Sequence, residues 1–148
     1  MPQPIDMQSA IFAELLALLA SVPEFGAEVS EDDALRVIDA EDDTLPESLI
    51  VLQAGTTEEV ERQGGPGSVR ERVTINITLM TKQRKYGPAL RAGRLGVKAA
   101  LAGQKLGLVQ QGVQLAAFQP ETPMPPRSGR RWAAQVMPVQ ITYVQPLK

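Results

Sequence analysis

The stretch SVRERVTINITLMTKQRKYGPALRAGRLGVKAALA, residues 68–102, decides the fold of this 148-residue chain. From Val73 to Leu79 every second residue is apolar, which predicts a strand with one buried face because successive strand side chains point to opposite faces. A helix is predicted over residues 88–102, where Pro88 suits the first helical turn and Gly103 suits the end. A strand and helix of this kind need further strands and a second helix to complete a core.

The remaining chain supplies these elements. Asp6 is a candidate N-cap for a helix over Met7–Leu19, whose apolar residues form a broad stripe typical of packing against a sheet. Strands are predicted at residues 35–38, 49–52 and 113–116, and a last strand runs from Trp132 towards the C-terminus. Pro138 in that last strand indicates a bulge or a sheet edge, because proline has no amide hydrogen to donate.

Two long connections separate the strands. Residues 54–68 are rich in glycine and mixed charges, and predict a long, mobile hairpin loop. Residues 120–131 contain four prolines and predict a protruding hairpin loop with arginines at its tip. We therefore predict a single α+β domain over residues 1–148. It has a mixed, mostly antiparallel sheet of four to five strands, two helices packed on one face, and long protruding hairpin loops.

Composition narrows the functional classes. The chain is 43% hydrophobic with a net charge of −2, as expected for a globular domain, and contains neither histidine nor cysteine. The commonest general base, thiolate nucleophiles and the commonest zinc ligands are therefore missing. A Ser–Lys pair remains formally open, but no motif marks one, so we predict no enzymatic activity, no cofactor and no metal. The absence of a run of about 18 apolar residues predicts no membrane span.

Two stretches suggest a ligand-binding motif but lack the residues that the motif needs at fixed positions. The acids at positions 39–43 lack the central glycine and closing glutamate of a calcium loop, so a solvated acidic loop is predicted. The run Gly64-Gly65-Pro66-Gly67 is followed by neither Lys-Ser/Thr nor a helix, which excludes a P-loop.

Charge is divided unevenly along the chain. Residues 1–61 carry fifteen acids and one base, whereas residues 62–148 carry fourteen bases and two acids. The two halves either neutralise each other inside one fold or form opposite surfaces that meet between copies of the protein. A head-to-tail contact of the second kind builds a ring.

Candidate contact residues follow from these patterns. On the predicted central helix, three bases at helical spacing form either a solvated face or a contact with an acidic partner or nucleic acid. We predict partner contacts from this stripe, the arginine-tipped loop and the glycine run: Arg91, Arg94, Lys98, Arg127, Arg130, Arg131, Gly64, Gly65, Pro66 and Gly67.

The order of these elements resembles the tail terminator (tail completion) proteins of long-tailed bacteriophages. The resemblance rests on the leading helix, the strand Leu49-Ile50-Val51-Leu52, the long strand that continues into a helix, and the closing Val139-Gln140-Ile141-Thr142-Tyr143. It covers nearly the whole chain but includes no signature motif. It implies a ring, a hexamer in this family, that caps the tail tube, stops its polymerisation and joins it to the head.

The same resemblance implies further properties. The partners would be other copies of the chain, the tail tube protein and a neck or connector protein, with viral DNA passing through the lumen without specific binding. The protein would be located at the tail–neck region of the virion after assembly in the bacterial cytoplasm, and no catalytic residue is carried over.

Two alternatives remain open. One is a different neck or tail structural protein, such as a head–tail connector. The other is a small nucleic-acid-binding module that uses the basic stripe and the arginine-tipped loop. Against the second, only 4% of residues are aromatic, and binding platforms for single strands rely on aromatic stacking.

Overall fold

The computed structural model describes residues 3–62 and 67–148 of the chain. Its helices and strands follow the sequence in this order: α1 (Met7–Leu19), β1 (Val29–Glu31), α2 (Ala34–Ala40), β2 (Ser48–Arg62), β3 (Ser68–Thr81), α3 (Tyr86–Ala100), β4 (Val113–Phe118), β5 (Thr122–Met124) and β6 (Ala133–Pro146). Two short 3-10 helices, Phe25–Ala27 and Gln104–Gly107, complete the connections.

The strands form a six-stranded mixed sheet within the described residues. The order is β1-β2-β3-β6-β4, and β5 pairs with β6 beyond the end of β4. Only the β1–β2 pair is parallel, and it is joined through α2. The predicted α+β class with a mostly antiparallel sheet is confirmed, with six strands rather than four to five.

The larger core lies on the face of the sheet that α1 and α3 cover. It takes the alternating residues of β3 from Val73 to Leu79, together with Ile11 and Leu15 of α1 and Val97 of α3. Asp6 accepts hydrogen bonds from Gln8 and Ser9 amides and caps α1 as predicted. The two predicted helices on one face are therefore confirmed.

Close packing of α3 depends on its glycines. A Cβ at Gly93 would lie 2.6 Å from Cε2 of Phe25, and one at Gly96 would lie 2.8 Å from Cγ1 of Val22. Both distances are shorter than real Cβ contacts, so larger residues would push the helix away from the segment that follows α1.

The opposite face carries a smaller apolar cluster. Its buried members are Val37, Ile38, Leu49, Val51, Met80, Trp132 and Ala134. The strand predicted at residues 35–38 is wrong, because these residues lie in α2. Asp33 caps this helix by accepting from the Leu35 and Arg36 amides, and the helix places Val37 and Ile38 on the sheet.

The long loop predicted over residues 54–68 is also wrong for most of its length. β2 continues to Arg62 and β3 starts at Ser68, with register shifts between Ala54 and Thr57 and between Glu59 and Glu61. Cross-strand Glu58–Arg72 and Glu61–Arg70 pairs join the two strands there. Charged residues on both faces of an extended strand hid the alternation from the sequence pattern.

Pro138 and the proline-rich segment meet where β4 ends. The bulge or sheet edge predicted at Pro138 is wrong, because β6 lies between β3 and β4 and its register with β3 is continuous. The predicted uninterrupted loop over residues 120–131 is wrong for Thr122–Met124, because β5 pairs with β6. Pro138 lies inside β6, where its carbonyl accepts from the Gln119 amide in the gap between β4 and β5. The N and the C=O of one strand residue point to the same side, and the Pro138 carbonyl points away from β3. The Pro138 nitrogen therefore points away from β3 as well, and its missing hydrogen removes no hydrogen bond to that strand.

Candidate functional site

The predicted arginine-tipped loop is held against the acidic segment after α2. Arg130 pairs with Asp39, and Arg131 pairs with Glu41 and Asp43. The hydrogen bonds from Arg131 lower the pKa of the Glu41 carboxyl and raise the pKa of the guanidinium. These bases are thus partly satisfied inside the subunit. By contrast, Arg127 lines a cleft of about 300 Å³ between α2 and β6 and forms no ion pair within the described residues.

The basic stripe of α3 divides into two parts. Arg94 Nε donates to Glu121 Oε1, and Lys98 Nζ lies 3.4 Å from Glu121 Oε2. Lys98 also lies 3.7 Å from the centre of the Phe118 ring, where a cation is attracted to the aromatic face. Arg91 is exposed and takes no part in this contact. Two of the three predicted residues therefore tie α3 to the β4–β5 connection.

Glu121 lies at the centre of that contact, with its side chain only 14% exposed. Burial raises the pKa of this carboxyl, but hydrogen bonds from Arg94 and Gln135 outweigh burial and leave the pKa below its ordinary value. The carboxylate is therefore ionised at neutral pH and fixes both bases in place.

Of the predicted glycine run, the structure describes Gly67. Gly64, Gly65 and Pro66 lie outside the described residues. Gly67 has no atom within 4 Å of the position that a Cβ would take, and its carbonyl accepts from the Leu147 amide at 2.9 Å. It lies in a turn at the start of β3, with open space beside it.

The two halves of unequal charge neutralise each other in part inside the fold. Besides the local Glu59–Arg62 pair, five pairs join acids of the first half to bases of the second: Glu58–Arg72, Glu61–Arg70, Asp39–Arg130, Glu41–Arg131 and Asp43–Arg131. The surfaces left for a partner are therefore those whose charges stay unpaired.

One such set lies at the start of α3. Arg91 was among the predicted contacts, whereas Arg84 and Lys85 were not. Arg84, Lys85 and Arg91, here called the basic cluster, are exposed and form no ion pair in the described part of the chain. Lys85 is the N-cap of α3 and makes no side-chain capping bond. Cations at a helix start oppose the macrodipole, so consecutive bases before Pro88 were the signal that could have identified it.

A pocket of about 350 Å³ lies beside the basic cluster, between the first turns of α3 and β5. Its lining includes Tyr86, Leu90, Arg91, Met124 and Pro125. A larger groove of about 740 Å³ lies between α3 and residues 21–25, and its lining includes Phe25 and Leu95, the latter 62% exposed.

The described residues contain no group of three acidic, histidine or cysteine side chains placed to hold a metal ion. No helix in residues 3–62 and 67–148 is long and apolar enough to cross a membrane. A partly buried hydrogen-bonded network joins Gln8, Tyr143 and Glu71, and burial raises the pKa of the Tyr143 hydroxyl. This network ties α1 to the sheet.

Comparison with known proteins finds a likeness in fold alone. The chain superposes on a chain of a solved structure described as the virion of a native gene transfer agent (GTA) particle. The TM-score is 0.54 at 17% sequence identity, with 96% of this chain and 92% of that chain covered. No family model matches the sequence, and no curated protein matches it.

Proposed function

We propose that this protein is a structural subunit of a phage-type virion that assembles as a ring on the end of the tail tube. The observation that carries the proposal is the fold shared with a chain of a gene transfer agent virion over 96% of this sequence. The order of elements that resembles tail terminator proteins supports the narrower role. In that role the ring stops tube polymerisation and offers the surface on which the head is joined.

The shape of the subunit suits such a role. β3 and β6 pair over their full 14 residues and give the subunit a long, stiff sheet. Beyond Leu52 the outer edge of β2 is not covered by β1, and β4 forms the opposite edge. A rigid sheet with two different edges supports heterologous contacts, which close into a ring when the rotation between copies allows it.

The proposed partners are further copies of this chain, a tail tube protein and a neck or connector protein. The hexamer is the expected ring, and DNA passes through its lumen without specific recognition. The protein acts as a structural component of the tail–neck region, and no step of this role needs catalysis, a metal or a cofactor.

Among the predicted contact residues, Arg91 and Arg127 remain available to partners, since they form no ion pair within the described residues. Gly67 remains available because the space beside it is open. Arg94, Lys98, Arg130 and Arg131 are proposed as contacts only through the atoms that their internal pairs leave free. Gly64, Gly65 and Pro66, which lie outside the described residues, remain proposed contacts.

The mass of the purified protein in solution, with and without tail tubes, tests the proposal, together with negative-stain images. Rings, or monomers that become rings on tube ends, are the expected result. Tube ends that keep growing in the presence of the protein contradict the terminator role. Rings that bind head connectors but ignore tubes indicate instead a different neck protein.

A nucleic-acid-binding module is the second candidate, favoured by the exposed, unpaired bases of the basic cluster. Binding of this kind is driven by counterion release and weakens steeply with salt. A monomer that ignores tubes and binds DNA with a steep salt dependence would replace the structural proposal. Absence of DNA binding at low salt would exclude the module.

A further inference from the structure

Two sets of exposed charges that form no ion pair among the described residues lie towards opposite edges of the sheet. The basic cluster (Arg84, Lys85 and Arg91) flanks the pocket beside β5, which pairs with the outer side of β6. At the other edge, Glu28 precedes β1 and Glu31 is its last residue. Both are exposed and form no ion pair among the residues that the structure describes. We call the segment from Ala27 to Glu31 the acidic edge.

Both features lie at the same end of the sheet. β1 pairs with residues 50–52 of β2, and β5 pairs with residues 134–136 of β6. In β3, which separates β2 from β6, the matching residues are 77–79 and 78–80, so the two edges are level with each other. A second copy placed beside the first, in the direction that runs across the strands from β1 to β5, therefore brings its acidic edge to the basic cluster of the first.

The backbone at these edges limits the kind of contact. Glu28 C=O and Asp32 N–H bond to β2, so Val29 and Glu31 direct their own backbone groups to the open side. Pro123 lies within β5, with Pro120 before it and Pro125 and Pro126 after it, and prolines at an edge resist backbone pairing. Contact between the edges is thus made by side chains rather than by a continuous sheet.

The pocket provides the apolar part of such a contact. Tyr86, which is 36% exposed, and Leu90, Met124 and Pro125 line it, while Arg91 stands at its rim. An extended segment laid across it places apolar side chains and methylene stems over the lining. Its carboxylates then reach the bases, and charge pairs of this kind fix register more than they add affinity.

We propose that the basic cluster and its pocket bind the acidic edge of a second copy of this chain, head to tail. The proposal rests on the proposed ring and names the surfaces that build it. The contact is heterologous, since it joins two different surfaces, and each copy keeps one surface free for the next. It also gives the unpaired bases at the start of α3 the negative charge that this helix end favours.

Charge reversal tests the contact on the full chain. In Lys85→Glu/Arg91→Glu both edges become acidic, and in Glu28→Lys/Glu31→Lys both become basic. We expect each variant to need about tenfold or more subunit for half-assembly on tubes, since like charges then face each other. Glutamate at position 85 favours the start of α3, so lost assembly would not reflect an unfolded helix.

Two further samples make the test specific. The chain with all four substitutions should assemble as the unaltered protein does, because every contact is reversed together. An equimolar mixture of the two double variants should also assemble, since acidic and basic edges then alternate around a ring of even number. Lys105→Glu/Lys148→Glu, with two exposed bases reversed elsewhere, is the matched control and should assemble normally.

The outcomes separate this inference from the proposed function. If the unaltered protein forms rings and each double variant does so equally well, the named surfaces are wrong while the ring stands. If the double variants fail and neither the fourfold variant nor the mixture restores assembly, the two surfaces do not meet and the pairing is overturned. If the unaltered protein never assembles, even on tubes, both proposals fall.

Discussion

The two faces of the sheet are built in different ways. The face under α1 and α3 is a large apolar core whose members repeat at strand and helix spacing, and its buried polar network of Gln8, Tyr143 and Glu71 is hydrogen-bonded. The face under α2 is a small cluster, and the indole Nε1 of its Trp132 is buried with no hydrogen-bond partner in the described part of the chain. Exposed ion pairs to Arg130 and Arg131 hold its outer rim.

This difference indicates which face contributes most to the stability of the subunit and which face can change without unfolding it. The large core fixes the orientation of β3 and β6, which carry the long sheet. The small face depends on a seven-residue helix and on charges that salt screens. Changes on the first face should therefore unfold the subunit, whereas changes on the second should loosen one edge.

The largest expected effect comes from truncating one isoleucine on each face. Ile77 is fully buried in the large core and Ile38 is 6% exposed under α2. Ile77→Ala should lower the free energy of unfolding by about 4 kcal/mol and Ile38→Ala by about 2 kcal/mol, because a short helix can collapse into the space. Urea unfolding at neutral pH measures both. Equal losses would show that the two faces are equally well packed.

A smaller effect is expected where α3 approaches the segment after α1. Gly93→Ala should cost about 1 to 2 kcal/mol, since the added methyl meets the buried Phe25 ring and the gain in helix propensity only partly offsets it. In the matched control Gly87→Ala, the nearest atom is the flexible Arg91 Nη1 at 3.2 Å. That change should be neutral or stabilise by less than about 1 kcal/mol.

Thermal unfolding of both glycine variants measures the comparison. A loss at Gly93 no greater than at Gly87 would mean that Phe25 moves aside freely, and that close approach of α3 is not required for the large core.

The smallest effect concerns the ion pairs at the rim of the small face. The pKa of Glu41 is lowered in the folded state by Arg131, so their pairing stabilises above the ordinary glutamate pKa and is lost as pH falls through the lowered value. Arg131→Gln should lower the melting temperature at neutral pH and low salt. The difference should shrink below about pH 4.3, the ordinary glutamate value.

Melting curves between pH 7 and acid conditions check this, with Lys105→Gln as the control for loss of an exposed base. A difference between Arg131→Gln and the unaltered protein that stays constant with pH would assign the effect to packing rather than charge.

Much of the large face could be predicted from the sequence. The alternation from Val73 to Leu79 and the capping aspartate before Met7 are local signals, and each produced the expected element. The helix predicted to start at Pro88 begins at Tyr86, within the usual uncertainty of helix ends.

Elements of the small face escaped prediction for a physical reason. Val37 and Ile38 favour strands by propensity, but Asp33 capping and burial against Leu49 and Val51 outweigh that preference. β5 was hidden among prolines, and the extension of β2 among charged residues. In each case the deciding partner is distant in sequence.

The predicted contact residues show the same division between local sequence signals and contacts that are distant in the sequence. The sequence marked Arg94, Lys98, Arg130 and Arg131 as charged surface, but only tertiary contacts bring Glu121, Asp39 and Glu41 to them. The same contacts leave Arg84, Lys85 and Arg91 unpaired. Which bases are free was therefore decided by the fold.

The sequence by itself determined the α+β class, the long central strand and its helix, and a chain without histidine or cysteine chemistry. These properties depend on composition and on the spacing of apolar residues that are close together in the chain. Both are present in the sequence itself. The tertiary structure decided the second apolar face, the length of β2 and which unlike charges pair with each other. Those depend on pairs separated by tens of residues, and their distances exist only once the chain has folded.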